Sequence, residues 1–315
     1  MKHIKNSIFR NINCPICENN SFTIVIKLTP RQFLNEERKK YYNLDSLGVN
    51  LDTNFYIKKC KKCKFVFVNP RLKSNLYSVV YNKAKINQYN NKNWAIEEGV
   101  ISNLYNLHHK YRESFRFLST LLYFKKYFKK PKNDGYEQLK LLDYGCGYGH
   151  TLELCKVFGV DATGVEIDLM RLNICKQKNL NAKLPSELST SEKFHIVISS
   201  SVIEHINDLN SYFKYISERV VENGIFSFNG LTPKIIEIER RNNYFKNVMP
   251  LEHVNYFDRK SLLKIAKKYN FYETKKIYSV FPTEGLTDYL TQFFKRIIFK
   301  GFPPTGNFSI ELVKK

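Results

Sequence analysis

A chain of 315 residues with 51 Lys+Arg against 29 Asp+Glu carries a formal net charge of +22. At 43% hydrophobic and 15% aromatic it can bury a substantial core, which excludes a disordered polyelectrolyte. No run approaches the roughly 18 apolar residues of a membrane-spanning helix. Residues 1–14 contain no apolar h-region, so no secretory signal is expected. Seven cysteines without an export signal point to a reducing, cytoplasmic compartment.

The charge is uneven along the chain. Residues 1–75 carry +10, residues 76–136 carry +7 and residues 137–315 only +5. Such asymmetry marks a change of domain. Three units are expected: a zinc-ribbon region at 1–75, a helical linker or flap at 76–136 and an α/β domain at 137–315. Lys outnumbers Arg about three to one. An AT-rich coding bias also produces that ratio, so the excess reads as a solvated surface rather than a nucleic-acid footprint.

The first unit holds two C-x2-C pairs, Cys14–Cys17 and Cys60–Cys63, separated by 42 residues. Each pair can place two thiolates on one ion, and two pairs complete a closed tetrahedral Zn2+ site. Closed coordination leaves no position for water, so the zinc is structural. Lys58, Lys59, Lys61, Lys62 and Lys64 would favour the thiolates. Phe22–Leu28 and Phe65–Val68 alternate as strands, and a helix is expected around Arg31–Tyr41.

In the second unit Leu107, Tyr111, Phe115, Leu118, Leu121 and Leu122 have helical spacing over 105–128. His108 and His109 point to different faces of that helix and read as surface or packing residues. Pro131–Gly135 supplies the break that follows.

The third unit opens with an apolar strand, Leu139–Tyr144, ending in Asp143 and the turn Gly145-Cys-Gly147-Tyr-Gly149. A helix is expected over Thr151–Phe158. A glycine turn between strand and helix lets backbone approach a ligand, and the helix offers free N–H groups. A second strand, Gly164–Asp168, carries Glu166 at 21 residues past Gly145. That is the separation of a carboxylate that holds a ribose diol. His150 occupies the place of a dinucleotide fingerprint's third glycine, so the turn is G-x-G-x-G. Further on, Ser261–Tyr269 reads as a helix, Thr274–Phe281 as a sixth strand, 283–299 as an inserted apolar-faced helix and Phe308–Val313 as a seventh strand.

With these motifs the chain resembles the class I S-adenosylmethionine-dependent methyltransferases. LLDYGCGYG at 141–149 is similar to their first motif and GVEID at 164–168 to their second. FHIVISSSVIEHI at 194–206 is similar to their fourth strand and its turn, and VVENGIFSFNG at 220–230 to the passage into the fifth. MPLEHVNYFDRKSLLKIAKKYNF at 249–271 and YIKKCKKCKFVFVNPRLKSNLYSVVY at 56–81 are similar to a bacterial subgroup with a zinc-binding N-terminal region. That subgroup includes sugar C-methyltransferases and methyltransferases of surface-polysaccharide biosynthesis.

The resemblance implies a Rossmann-like seven-stranded α/β sheet with an N-terminal zinc ribbon and helical flap. Gly145 and Gly147 would line the methionine portion of S-adenosylmethionine, with Asp143 beneath. Glu166 would hold the ribose, Ile167 would pack on the adenine, and Glu187 would serve its polar end. His195 stands where the family has an acid, which implies altered hydrogen bonding at the start of the fourth strand. Glu204 and His205 fall at the carboxyl edge of the sheet, where such sites lie. The resemblance implies His205 as general base, Glu204 as its orienter or a substrate ligand, and His253 as a second candidate base. Tyr81 is a candidate cofactor cover, and Cys146, Cys155 and Cys175 read as small buried residues.

The implied acceptor is a small molecule, sugar-related or nucleotide-linked, whose phosphate the basic N-terminal region could attract. The alternatives are an RNA methyltransferase using that region for RNA, and a non-catalytic scaffold. SSSVIEH is not the N/D-P-P-Y/F loop of enzymes that methylate base amino groups, and no Pro-Cys nucleophile is present.

Overall fold

In the computed structural model the described residues are 8–35, 39, 42, 44–76, 139–157, 160–274 and 307–315. The helices expected at 105–128 and 283–299 lie outside them, as do Tyr81, His108, His109 and most of the 76–136 unit. Among the described residues no helix is long and apolar enough to cross a membrane.

The N-terminal part contributes β1 (Phe9–Arg10), β2 (Phe22–Leu28), the one-turn α1 (Pro30–Phe33), β3 (Phe55–Cys60), β4 (Val66–Val68) and β5 (Arg71–Leu72). Of the helix expected at 31–41, α1 takes in Arg31–Phe33, Leu34 is extended with φ −106° and ψ 114°, Lys39 is again helical, and residues 36–38, 40 and 41 lie outside the described residues. Pro30 and the Thr29–Gln32 capping box start the turn. Phe33 and Leu34 are buried in one cluster with Phe55 and Ile57 of β3.

The α/β part comprises β6 (Lys140–Tyr144), α2 (His150–Val157), β7 (Asp161–Val165), α3 (Leu169–Gln177), β8 (Ala182–Lys183), β9 (Phe194–Ser199), α4 (Leu209–Arg219) and β10 (Val220–Leu231). It continues with α5 (Lys234–Arg241), β11 (Asn255–Tyr256), α6 (Arg259–Lys267), β12 (Phe271–Glu273) and β13 (Asn307–Lys314). The seven-stranded sheet runs β12-β13-β10-β9-β6-β7-β8. β6 to β10 pair in parallel, and β13 is antiparallel to both of its neighbours. The chain leaves β6 toward β7 on one side and returns as β9 on the other. That reversal opens a crevice at the carboxyl ends of β6 and β9. A strand lies at Phe271–Glu273 with Phe271 buried, and the strand expected at 274–281 falls, beyond Thr274, outside the described residues.

The central strands β6 and β9 are buried along most of their length, with Leu141, Leu142, Ile196, Val197 and Ile198 in the core. α4 buries Leu209, Tyr212, Phe213 and Ile216, one stripe at helical spacing. Phe213 packs edge-on against Phe226 at 6.1 Å, and Phe226 lies 4.8 Å from Phe228 and 5.4 Å from Phe271. Each buried ring contributes about 1.5–3 kcal/mol. Asp208 caps α4 by accepting from the Asn210 and Ser211 amides.

A second sheet runs β11-β4-β3-β2. Its edge strand β11 comes from the far C-terminal half of the chain and pairs antiparallel with β4. Phe65 beside the second cysteine pair packs 4.7 Å from Phe257, and one apolar cluster runs from Cys14 and Cys60 into the parallel sheet.

Candidate active site

The glycine turn begins where β6 ends. Gly145 has φ +82°, and a Cβ there would come within 2.4 Å of Val202 Cγ2, so only glycine fits. Gly147 has φ +57°, but a Cβ there would meet nothing within 4 Å. The turn is therefore packed on one side and open on the other, the form of a backbone cradle for a ligand.

Glu166, just past β7, is buried and closes this cradle. Its Oε2 accepts the Gly147 amide at 2.9 Å, and Oε1 accepts the Ile167 and Asp168 amides at 2.8 and 3.0 Å. A carboxylate offers about four acceptor positions, so Oε2 retains one for a hydroxyl. Ile167 beside it is 60% exposed, an apolar surface beside the cradle. Asp168, the second acid of that strand motif, instead caps α3 through the Met170 and Arg171 amides. Asp143 is buried beneath the turn, and burial raises its pKa to about 7, with the Thr151 hydroxyl opposing and the Glu166 charge adding. These residues fit S-adenosylmethionine: an open glycine turn, an anchored carboxylate and an exposed apolar side chain at one edge. Glu187 is exposed at a turn, where it accepts the Leu184 amide at 2.7 Å.

Glu204 and His205 form a 3-10 turn, Ile203–His205, beyond the carboxyl end of β9. His253 reaches them from the loop before β11. One ligand-type atom from each of the three lies within 4.8 Å of the other two, and the imidazole centroids are 4.6 Å apart. Glu204 is 4% exposed, and its Oε2 has no hydrogen-bond partner among the described residues. Burial raises its pKa to about 7. His253 Nδ1 pairs with the Asn247 carbonyl, which fixes the neutral ring's proton on Nδ1 and its lone pair on Nε2. Asn247 is itself held by the buried Glu239 carboxylate, which accepts its amide and side chain at 2.7 and 2.9 Å and the Val248 amide at 2.8 Å. A buried acceptor-seeking carboxyl beside two half-buried imidazoles can bind a hydroxyl and take up its proton.

The four cysteines converge as expected. Cys14 and Cys63 sulfurs are 3.4 Å apart, Cys17 and Cys60 3.6 Å, and no pair is a disulfide. A tetrahedron with bonds of about 2.3 Å has sulfur–sulfur edges of about 3.8 Å, so the set fits Zn2+. Burial opposes ionisation of Cys60, but the Cys63 and Lys62 amides and the Cys17 thiol outweigh it and bring the thiol to about 7. At Cys14 and Cys63 burial prevails and pushes the thiols up, Cys63 to about 11, so the backbone donors favour the thiolate at Cys60 alone of these three.

Three groups around this site had no sequence signal: Glu239, Arg71 and Asn255, all buried. Glu239 lies outside the recognised motifs, Arg71 and Asn255 lie within the 56–81 and 249–271 segments without being singled out there, and each acts through the backbone of another loop. His195 Nδ1 accepts the Lys140 amide at 3.1 Å where β6 starts.

A methyltransferase-domain family model matches residues 106–275. The ubiquinone biosynthesis O-methyltransferase of Pelagibacter ubique is 31% identical over 97 residues, covering 28% of this chain and 40% of that protein. The protein of the same name from Bartonella quintana is 29% identical over 100 residues, covering 29% and 40%. The chain thus spans less than half the length of these curated relatives. Among solved structures, magnesium protoporphyrin IX methyltransferase from Synechocystis with bound SAH is 12% identical, with 65% of this chain and 85% of that chain covered and a TM-score of 0.42. A SAM-dependent methyltransferase from Archaeoglobus fulgidus is 19% identical, with 67% and 100% covered and a TM-score of 0.38.

Proposed function

This chain belongs to the methyltransferase-domain family, a family of S-adenosylmethionine-dependent enzymes, and on that premise we propose that it transfers a methyl group to a hydroxyl of a small acceptor. The observation that carries the reading is the meeting of two sites at one sheet edge. The Gly145–Gly149 turn with Glu166 lies after β6, and the Glu204–His205–His253 group lies after the adjacent β9.

In this reading Gly145, Gly147 and Asp143 hold the methionine part of the cofactor, Glu166 the ribose, and Ile167 and Glu187 the adenine. S-adenosylmethionine supplies a methyl group already activated by the positive charge on its sulfur. The chain's own work is alignment and proton transfer. Glu204 binds the acceptor or orients His205, and His205 takes up the proton that the acceptor hydroxyl sheds. His253, its tautomer set by Asn247, presents Nε2 to the same space and is the second candidate base.

The sugar-related or nucleotide-linked acceptor rests on the resemblance alone. Transfer to oxygen is favoured by the names of the curated relatives, which are O-methyltransferases. Zn2+ at Cys14, Cys17, Cys60 and Cys63 would be structural, because a closed four-thiolate set has no open position for chemistry. Calorimetry tests the cofactor half: S-adenosylmethionine should bind, and Glu166→Ala should weaken binding. No binding to the intact protein would support a scaffold instead.

A further inference from the structure

The turn that carries Glu204 and His205 is held from behind by two fully buried polar side chains. Asn255 is 0% exposed, and its Nδ2 donates to the Ile203 carbonyl at 3.1 Å and the Ile206 carbonyl at 2.6 Å. One amide therefore clamps both ends of the turn. The Asn255 Oδ1 in turn accepts from Arg71 Nη2 at 3.4 Å.

Arg71, also 0% exposed, reaches three segments. Its Nε donates to the Val68 carbonyl at 3.3 Å, Nη1 to the Asn207 carbonyl at 3.3 Å, and Nη2 to the Val254 carbonyl at 3.4 Å. Its guanidinium lies 5.8 Å from the Phe67 ring centroid. The Val254 amide donates to the Glu204 carbonyl at 2.7 Å, so the residue after His253 is tied directly to the turn. A buried guanidinium is costly to desolvate, and an apolar side chain would fill the same space at lower cost. What its planar fork adds is a fixed arrangement of several carbonyls.

We propose that Arg71 and Asn255 are positioning residues for Glu204, His205 and His253, and that the four-cysteine sheet is the back wall of the acceptor site rather than a separate binding module. The proposal rests on the reading of those three residues as the acceptor site. Arg71 follows β4 of that sheet, and Asn255 begins its edge strand β11. The sheet thereby fixes the distance between His205 and His253, which come from segments 48 residues apart.

The test uses the full chain with ring-labelled histidines, labelled S-adenosylmethionine and a small-molecule extract of the host. Asn255→Asp keeps an acceptor for Arg71 but removes both donations to the turn; Arg71→Met removes the fork, and Arg71→Lys keeps the charge. Asn255→Asp and Arg71→Met should shift the His205 and His253 ring resonances, assigned with His205→Gln and His253→Gln, and leave that of His195 in place. Cofactor affinity should change less than about twofold while methyl incorporation falls about a hundredfold, the cost of a misplacement near 1 Å. Arg71→Lys should recover part of the rate. If Arg71→Met does not fold, Asn255→Asp alone decides. Unchanged imidazole resonances, or wild-type incorporation in Asn255→Asp, would overturn the proposal. If His205→Gln methylates normally while Asn255→Asp moves the resonances, the brace stands and the assignment of the base fails.

Discussion

Glu166 and Glu204 are both buried carboxyls, yet their surroundings differ in kind. Glu166 accepts three backbone amides, while Glu204 Oε2 has no partner among the described residues. Removing the first takes away charge-assisted hydrogen bonds worth about 1.5–3 kcal/mol each. Glu166→Ala should therefore weaken S-adenosylmethionine binding by about tenfold or more in calorimetry. Glu204 makes a different prediction. Its folded pKa of about 7 lies above the value of 4.5 for a free glutamate, so the folded state holds the proton more tightly. Its contribution favours the folded state below the free value and is lost as pH rises through 7. Glu204→Gln, a fixed mimic of the protonated acid, should thus gain thermal midpoint relative to wild type as pH rises from about 5 to about 8. A difference that does not vary with pH would contradict the raised pKa of this buried carboxyl. For catalysis, His205→Ala should lower the transfer rate by about a hundredfold or more, the range of a lost general base.

At the level of elements, the glycine turn, Glu166 and the Glu204–His205 turn were legible because each is a local motif: strand, tight turn, then helix or 3-10 turn. The four cysteines were legible because two C-x2-C pairs have one common chemical use. What escaped was non-local. β11 is two residues long, too short to show an alternating pattern, yet it completes the sheet beside the cysteines. Arg71 and Asn255 bond to carbonyls, which every residue has, so no side-chain pattern announces their partners. Metal analysis should find one zinc per chain, absent in Cys60→Ser, and a zinc-free native protein would contradict the ribbon. Because β11 is built into that sheet, chelation should also slow methyl transfer more than it weakens cofactor binding.

Across the whole molecule, the net charge of +22 is concentrated in the first 136 residues, whose share is +17. The cysteine sheet in that region packs its core against the catalytic sheet, through Phe65 and Phe257 among others. On the proposed reading of the acceptor site, this charge would draw in a phosphate-bearing small molecule by long-range steering. An RNA partner would use the same charge, so charge alone does not separate the two readings. Raising salt should lower the rate for a phosphorylated acceptor and leave that for a neutral one nearly constant. The measurement that bears most directly on the central claim is transfer of labelled methyl from S-adenosylmethionine to the small-molecule and RNA fractions of the host, with intact protein and His205→Ala in parallel. The account predicts label in the small-molecule fraction with the intact protein and its loss in the variant; label confined to RNA, or none in either fraction, would contradict it.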